Sequence, residues 1–173
     1  MDTPLPEPAS FLINSAHHFP KQQHPSDPPL TALDLASGRA ANGEWLAQCG
    51  FQVTAWDVSS TVIEQICQRE PRRIHTAEVR DVSADPPTPN SFDVIVVCRF
   101  LDRALCPAIQ AALKPRGVLF YKTFTKGLSN PDYMLGPNEL LSLFEGLHVL
   151  EYHEPEPDSA GKAQASLIAR ADM

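Results

Sequence analysis

The chain has 173 residues, 43% of them hydrophobic, and a formal net charge of −7. That is the size of one core, with enough apolar side chains to fill it. The acidic balance excludes unaided binding of duplex DNA or RNA, and no apolar run approaches the roughly 20 residues of a membrane span. The opening segment, MDTPLPEPAS, is acidic and Pro-rich, unlike a signal peptide. Cys49, Cys67, Cys98 and Cys106 show no C-x-x-C spacing and sit mostly in periodic apolar segments. Buried, reduced thiols and a cytoplasmic location are therefore expected.

Residues 9–16 read as a short helix and residues 20–29 as a Pro-rich linker. A first strand spans 31–36. A helix follows over 42–49, with Trp45, Leu46 and Cys49 on one face. Gly50 closes it, and a second strand covers 52–56. Thr61-x-x-Glu64 is a capping-box pattern for a helix running to Arg69. A third strand is expected over 73–79. Residues 81–91 hold three prolines and read as a loop. FDVIVVC, residues 92–98, is a continuous apolar strand of the kind buried on both faces. A helix over 102–113 precedes the turn Lys114-Pro115-Arg116-Gly117 and a strand over 118–124. Pro137 suits the first turn of a helix ending near Glu145. Strands at 148–153 and 165–169 close the chain. Strands alternating with helices, then two closing strands, predict an α/β fold with a doubly wound, mainly parallel sheet.

The chemistry concentrates in residues 32–57, ALDLASGRAANGEWLAQCGFQVTAWD. A strand ends in Asp34, a turn of small residues leads into a helix, and Asp57 ends the next strand. Small residues let backbone approach a ligand, and the helix start offers N–H groups to it. Asp57, with two carboxylate oxygens at a strand end, suits both hydroxyls of a ribose; capping the next helix is its alternative use. Asp34 decides which nucleotide. A carboxylate beside the turn would repel a pyrophosphate but favours a sulfonium and an ammonium. S-adenosylmethionine is therefore expected in preference to a nicotinamide dinucleotide.

On these segments the sequence resembles the class I methyltransferases, whose first motif is an acid followed by a Gly-x-Gly-x-Gly-like turn. Ala36, Gly38 and Ala40 stand at the three glycine positions. Alanine is small but does not take positive φ cheaply. More narrowly, the chain resembles small bacterial methyltransferases related to tellurite-resistance proteins. The likeness lies in PEPASFLIN, LDLASGRAANGEWLAQCGFQVTAWDVS, FDVIVVCRFLDRAL, LKPRGVLFYKTF and NPDYMLGPNELLSLF. It implies a seven-stranded sheet with an antiparallel last strand. It implies one domain over 1–173, with 1–30 a helix and linker near the site. The activity implied is methyl transfer from S-adenosylmethionine, yielding S-adenosylhomocysteine, to a small-molecule acceptor.

The resemblance also assigns positions. Gly38, Ala36 and Ala40 pass beneath the methionine part of the cofactor, and Asp34 braces the turn and reaches the ammonium. Val58 follows Asp57 in the cofactor-binding stretch. Asp81 falls where relatives place an acid near the adenine amino group, with the backbone of Val82 beside a ring nitrogen; a solvated loop acid is the alternative for Asp81. Cys98 and Arg99 end the fourth strand at the mouth of the crevice. Arg99 faces the substrate, the cofactor carboxylate or solvent. His17, His18, Lys122 and Tyr133 are substrate-side candidates, with Tyr121 a weaker one. Ala41, Lys122 and Gly136 depart from the usual residues of those relatives and put the acceptor's identity in question.

Other patterns carry less. Asp85-Pro86-Pro87-Thr88 precedes the fourth strand and lacks an aromatic, so it reads as a loop and not as a base-flipping motif. His17, His18 and His24 neighbour prolines, and no metal is expected there. No residue stands out as a general base, which favours an acceptor that needs none. An inactive S-adenosylmethionine-binding module, acting as partner or sensor, is the second reading; the degenerate turn, Arg99 and Lys122 motivate it. A nicotinamide-dependent oxidoreductase is opposed by Asp34. The oligomeric state is not legible.

Overall fold

The computed structural model describes residues 7–172. The first six residues of the Pro-rich opening therefore lie outside the described part, as does the last residue. Seven strands form one sheet: β1 (Thr31–Leu35), β2 (Gln52–Asp57), β3 (Thr76–Val79), β4 (Phe92–Cys98), β5 (Leu113–Lys126), β6 (His148–His153) and β7 (Ala163–Arg170). Their order is β3-β2-β1-β4-β5-β7-β6. The first five strands pair in parallel, and β7 runs antiparallel to both β5 and β6. The helices are α1 (Ser10–Asn14), α2 (Ala41–Gln48), α3 (Ser60–Cys67), α4 (Cys106–Ala112) and α5 (Glu139–Leu143).

FDVIVVC lies at the centre of the sheet, as its composition predicts. Val94, Ile95, Val96 and Val97 are all fully buried. Ile95 and Val97 face a core shared with Leu35, Tyr121 and Phe144, while Val94 and Val96 face a second core with Leu46, Val53 and Phe120. Apolar layers on both faces are what a continuous apolar strand requires. The chain builds β1, β2 and β3 outward in one direction and then returns to place β4 beside β1. That reversal opens a crevice at the carboxyl ends of β1 and β4.

The N-terminal segment packs onto one face of this sheet. Leu12 of α1 is fully buried. Phe19 sets its ring 5.1 Å from Phe51, 5.3 Å from Phe120 and 5.7 Å from Trp45. Edge-on and tilted ring contacts of this kind are favourable beyond their buried area. They fix the segment that runs past the crevice.

Several expectations need correction. Cys49 and Cys67 are exposed, Cys98 is half-buried, and only Cys106 is buried among the four; all are free thiols. The buried face of α2 is Gly43, Glu44 and Leu46. The cap of α3 is Ser59, whose hydroxyl accepts from the Val62 N–H at 3.4 Å; Thr61 lies inside the helix. The third strand begins only at Thr76, and Ile74 before it is buried in the core. Residues 114–117 are a bulge within β5, with Arg116 at φ 64°. The helix expected from Asp102 opens as a 3₁₀ turn, Arg103–Leu105, before α4. Asn138 precedes α5 in the left-handed region, so the helix starts two residues after Pro137.

Candidate cofactor site

The turn after β1 holds three left-handed residues at alternate positions. Ala36 has φ 53°, Gly38 51° and Ala40 54°. Both alanines adopt this region although alanine does not take positive φ cheaply. Each costs of order 1–2 kcal/mol in an alanine. The surroundings hold the turn against that cost. The Ser37 N–H donates to the Trp56 carbonyl at 2.9 Å, and the Ala40 N–H to the Ser37 carbonyl at 2.8 Å. Arg69 donates to the Arg39 carbonyl at 3.3 Å while pairing with buried Glu44 at 2.8 Å.

Both acids are tied to this turn. Asp57 Oδ2 accepts from the Gly38 N–H at 2.8 Å, and its Oδ1 accepts from the Ser59 N–H at 3.0 Å. Bracing the turn and entering α3 are thus both work for one carboxylate. Each oxygen has a second lone pair for a ligand hydroxyl. Asp34 is 1% exposed, and its Oδ2 accepts from the Gly43 N–H at 2.8 Å. A Cβ at Gly43 would meet Ile74 at 3.0 Å and this carboxylate at 3.1 Å. Glycine therefore lets α2 approach the acid. Burial pushes the Asp34 carboxyl up to about 7; the Gly43 N–H opposes that shift, and the Asp57 charge adds to it.

A cavity of about 530 Å³ opens above these groups. That volume suits a small molecule or cofactor. Asp34, Ala36, Gly38, Asp57, Cys98 and Arg99 line it, together with Lys122. A Cβ built on Gly38 meets nothing within 4 Å, so the space beside it is open. Acids lie at the strand ends, and Arg39, Arg99 and Lys122 bring positive charge to the walls. Arg99 itself is left-handed, at φ 57°, with its N–H donating to the Lys122 carbonyl at 2.8 Å. Lys122 Nζ also stands 5.6 Å from the centroid of the Phe11 ring. Burial first, and then the Asp34 charge, push the Cys98 thiol up to about 12.

Other expected residues fall elsewhere. Ala40 is fully buried behind the turn and does not line the cavity. Val58 is 68% exposed. Asp81 caps its own loop, accepting from the Ser83 N–H at 3.0 Å. Val82 is buried in the core with Trp56 and Phe92. Tyr121 is fully buried, and its hydroxyl donates to the Phe100 carbonyl at 2.9 Å, which removes it from the substrate side. Tyr133 is exposed on a 3₁₀ turn. His17 and His18 lie beside Glu151 and not in the cavity wall. In their place the N-terminal segment contributes Ala9 and Ser10. The Ala9 N–H donates to Asn42 Oδ1 at 2.8 Å, which fixes that wall to the first turn of α2. Asn42 was within reach of the sequence as the helix start beside the small-residue turn. Ala9, Ser10 and Gln164 carry no local signal.

Residues 32–117 match the family described as "Methyltransferase domain". No curated protein sequence matches the chain. Among solved structures, TehB from Haemophilus influenzae superposes with a TM-score of 0.77 at 20% identity, over 95% of this chain and 62% of TehB. This chain thus spans about three fifths of that protein's length. A SAM-dependent methyltransferase from Methanosarcina mazei gives 0.70 at 17% identity, over 92% and 97% of the two chains. Phosphoethanolamine N-methyltransferase 2 from Haemonchus contortus, solved in complex with S-adenosyl-L-methionine, gives 0.73 at 16% identity, over 96% and 54%. The sheet order, the crevice and the matched segment agree: residues 32–117 match a methyltransferase domain, in a chain of class I methyltransferase fold.

Proposed function

We propose that this protein transfers a methyl group from S-adenosylmethionine to a small-molecule acceptor. The observation that carries the reading is the joined pair Gly38 and Asp57 at the cavity floor, with Asp34 buried beside them. These residues fit the cofactor. The open space beside Gly38 admits backbone contact, Asp57 retains acceptor capacity for a ribose diol, and Asp34 is placed for a cationic sulfonium or ammonium.

When bound, S-adenosylmethionine would supply a methyl on a good sulfonium leaving group, for in-line displacement by an acceptor lone pair with S-adenosylhomocysteine as product. The protein's part is positioning and exclusion of water. Asp57 and the turn at Gly38 orient the nucleoside end. Asp34 stabilises positive charge. Arg99 and Lys122 hold the acceptor or the cofactor carboxylate on the opposite wall. Asp81 and Val82 lie outside the cavity wall, on the adenine side, and add little binding energy in this reading. Val58 adds its backbone beside Asp57. No helix among the described residues is long and apolar enough to cross a membrane, and a cytoplasmic setting is part of the proposal.

Thermal unfolding with S-adenosylmethionine, S-adenosylhomocysteine and NAD tests the cofactor. A ligand at 100 times its dissociation constant stabilises a fold by about 2.7 kcal/mol. Stabilisation by the first two and not by NAD is expected; stabilisation by NAD alone would overturn the reading. Methyl transfer to any acceptor above a blank then separates an enzyme from a binding module.

A further inference from the structure

Outside the crevice, the described residues bring together one cluster of metal-ligating side chains. We propose that His17, His18 and Glu151 bind a divalent transition cation of the zinc class, which clasps the N-terminal segment to the edge of the sheet. The two histidines end the 3₁₀ turn Ala16–His18, and Glu151 lies on the edge strand β6. One ligand atom from each residue lies within 4.8 Å of the other two. His18 Nε2 stands 2.7 Å from Glu151 Oε1, and His17 Nε2 stands 3.5 Å from the same oxygen. Ligand atoms about 2.0–2.1 Å from a tetrahedral zinc are roughly 3.3 Å apart. Small side-chain rotations therefore open this cluster around an ion.

Three further features support a built site. Ser15, 5% exposed, donates its hydroxyl to Glu151 Oε2 at 2.9 Å. A fixed outer partner of this kind orients a ligating carboxylate and leaves Oε1 toward both imidazoles. A bulge between Val149 and Glu151 re-aims the strand at this point. The imidazole centroids are 4.1 Å apart. His17 and His18 both stand within ion-pair reach of the one oxygen, Glu151 Oε1. Two imidazoles and one carboxylate converging on one point can share a cation. Two nitrogen ligands and one oxygen select zinc-class ions over calcium or magnesium. The segment so clasped is the one that places Ala9 and Ser10 in the cavity wall. The inference needs no methyl transfer and stands apart from the proposed reaction.

Zinc ions titrated calorimetrically into the full chain test it, with His17→Ala and Glu151→Gln as variants. The His17→Ala variant keeps the His18–Glu151 contact, so its fold is preserved, as a melting curve would verify. One zinc per chain is expected for the wild type, with binding at least tenfold weaker in both variants. Amide exchange over residues 10–18 should slow on adding zinc to the wild type only. Wild-type affinity in His17→Ala would overturn the proposal, as would no binding at all. So would a cobalt spectrum with thiolate charge-transfer bands, which would place the metal on exposed Cys49 or Cys67.

Discussion

Asp34, Gly38 and Asp57 come from one strand–turn–helix–strand unit and are joined to its backbone at 2.8 Å. Asp81 and Val82, across the crevice beyond β3, are bonded into their own loop and core and do not line the cavity. The first side is organised before any ligand arrives, because each carboxylate is held by a backbone N–H from its own unit. The second side depends on how a proline-containing loop sits against a distant strand. Preorganisation follows from short chain separation, and ligand energetics should follow preorganisation.

Replacing Gly38 gives the largest effect on the organised side. A Cβ at Gly38 meets no protein atom within 4 Å, so what opposes Gly38→Val is the φ of 51° and the space a ligand needs. S-adenosylmethionine binding should vanish while circular dichroism is retained; wild-type affinity would mean that the turn touches no ligand. Asp57→Ala comes next, with a loss of about 2–4 kcal/mol in binding by calorimetry, the worth of two charge-assisted hydrogen bonds. Equal affinities would remove Asp57 from the site.

Asp34 offers a pH test of the same side. Its carboxyl is raised to about 7 in the folded chain. In the free protein this favours folding at low pH, and the contribution is lost as pH rises from about 4 to about 7. A cationic ligand needs the ionised form, so its affinity should rise about tenfold between pH 6 and 8. Asp34→Asn should flatten that rise; a profile identical to the wild type would sink the assignment. Ala36→Gly should stabilise the chain by about 1 kcal/mol in chemical unfolding, by relieving a left-handed alanine. A destabilised variant would contradict the strain. On the far side, Asp81→Ala should change affinity by less than about 0.5 kcal/mol. A loss as large as that of Asp57→Ala would show both sides to be equally engaged.

Much of the fold was legible because burial on both faces leaves a plain record. The apolar run of β4 and the closing strand β6 have the bounds that the sequence predicts. The helix after Asp102 illustrates what was not. Pro107 has no N–H, so a continuous helix from Asp102 would place it in the interior; starting at Cys106 puts it in the first turn. The acids and the small-residue turn were readable from local order. Their left-handed alanines were not, since propensity opposes them and only tertiary hydrogen bonds hold them. Glu151 beside His17 and His18 could not be read either, because the contact spans 133 residues to His18.

Cys98 has a consequence for chemical self-protection. A thiol lines the very cavity in which an alkylating agent is proposed to act. Burial and the Asp34 charge keep its proton on, with the thiol pushed up to about 12. The thiolate is the nucleophile, and at neutral pH almost none is present. Burial, with the Asp34 charge added to it, therefore leaves this sulfur a poor nucleophile toward an alkylating ligand.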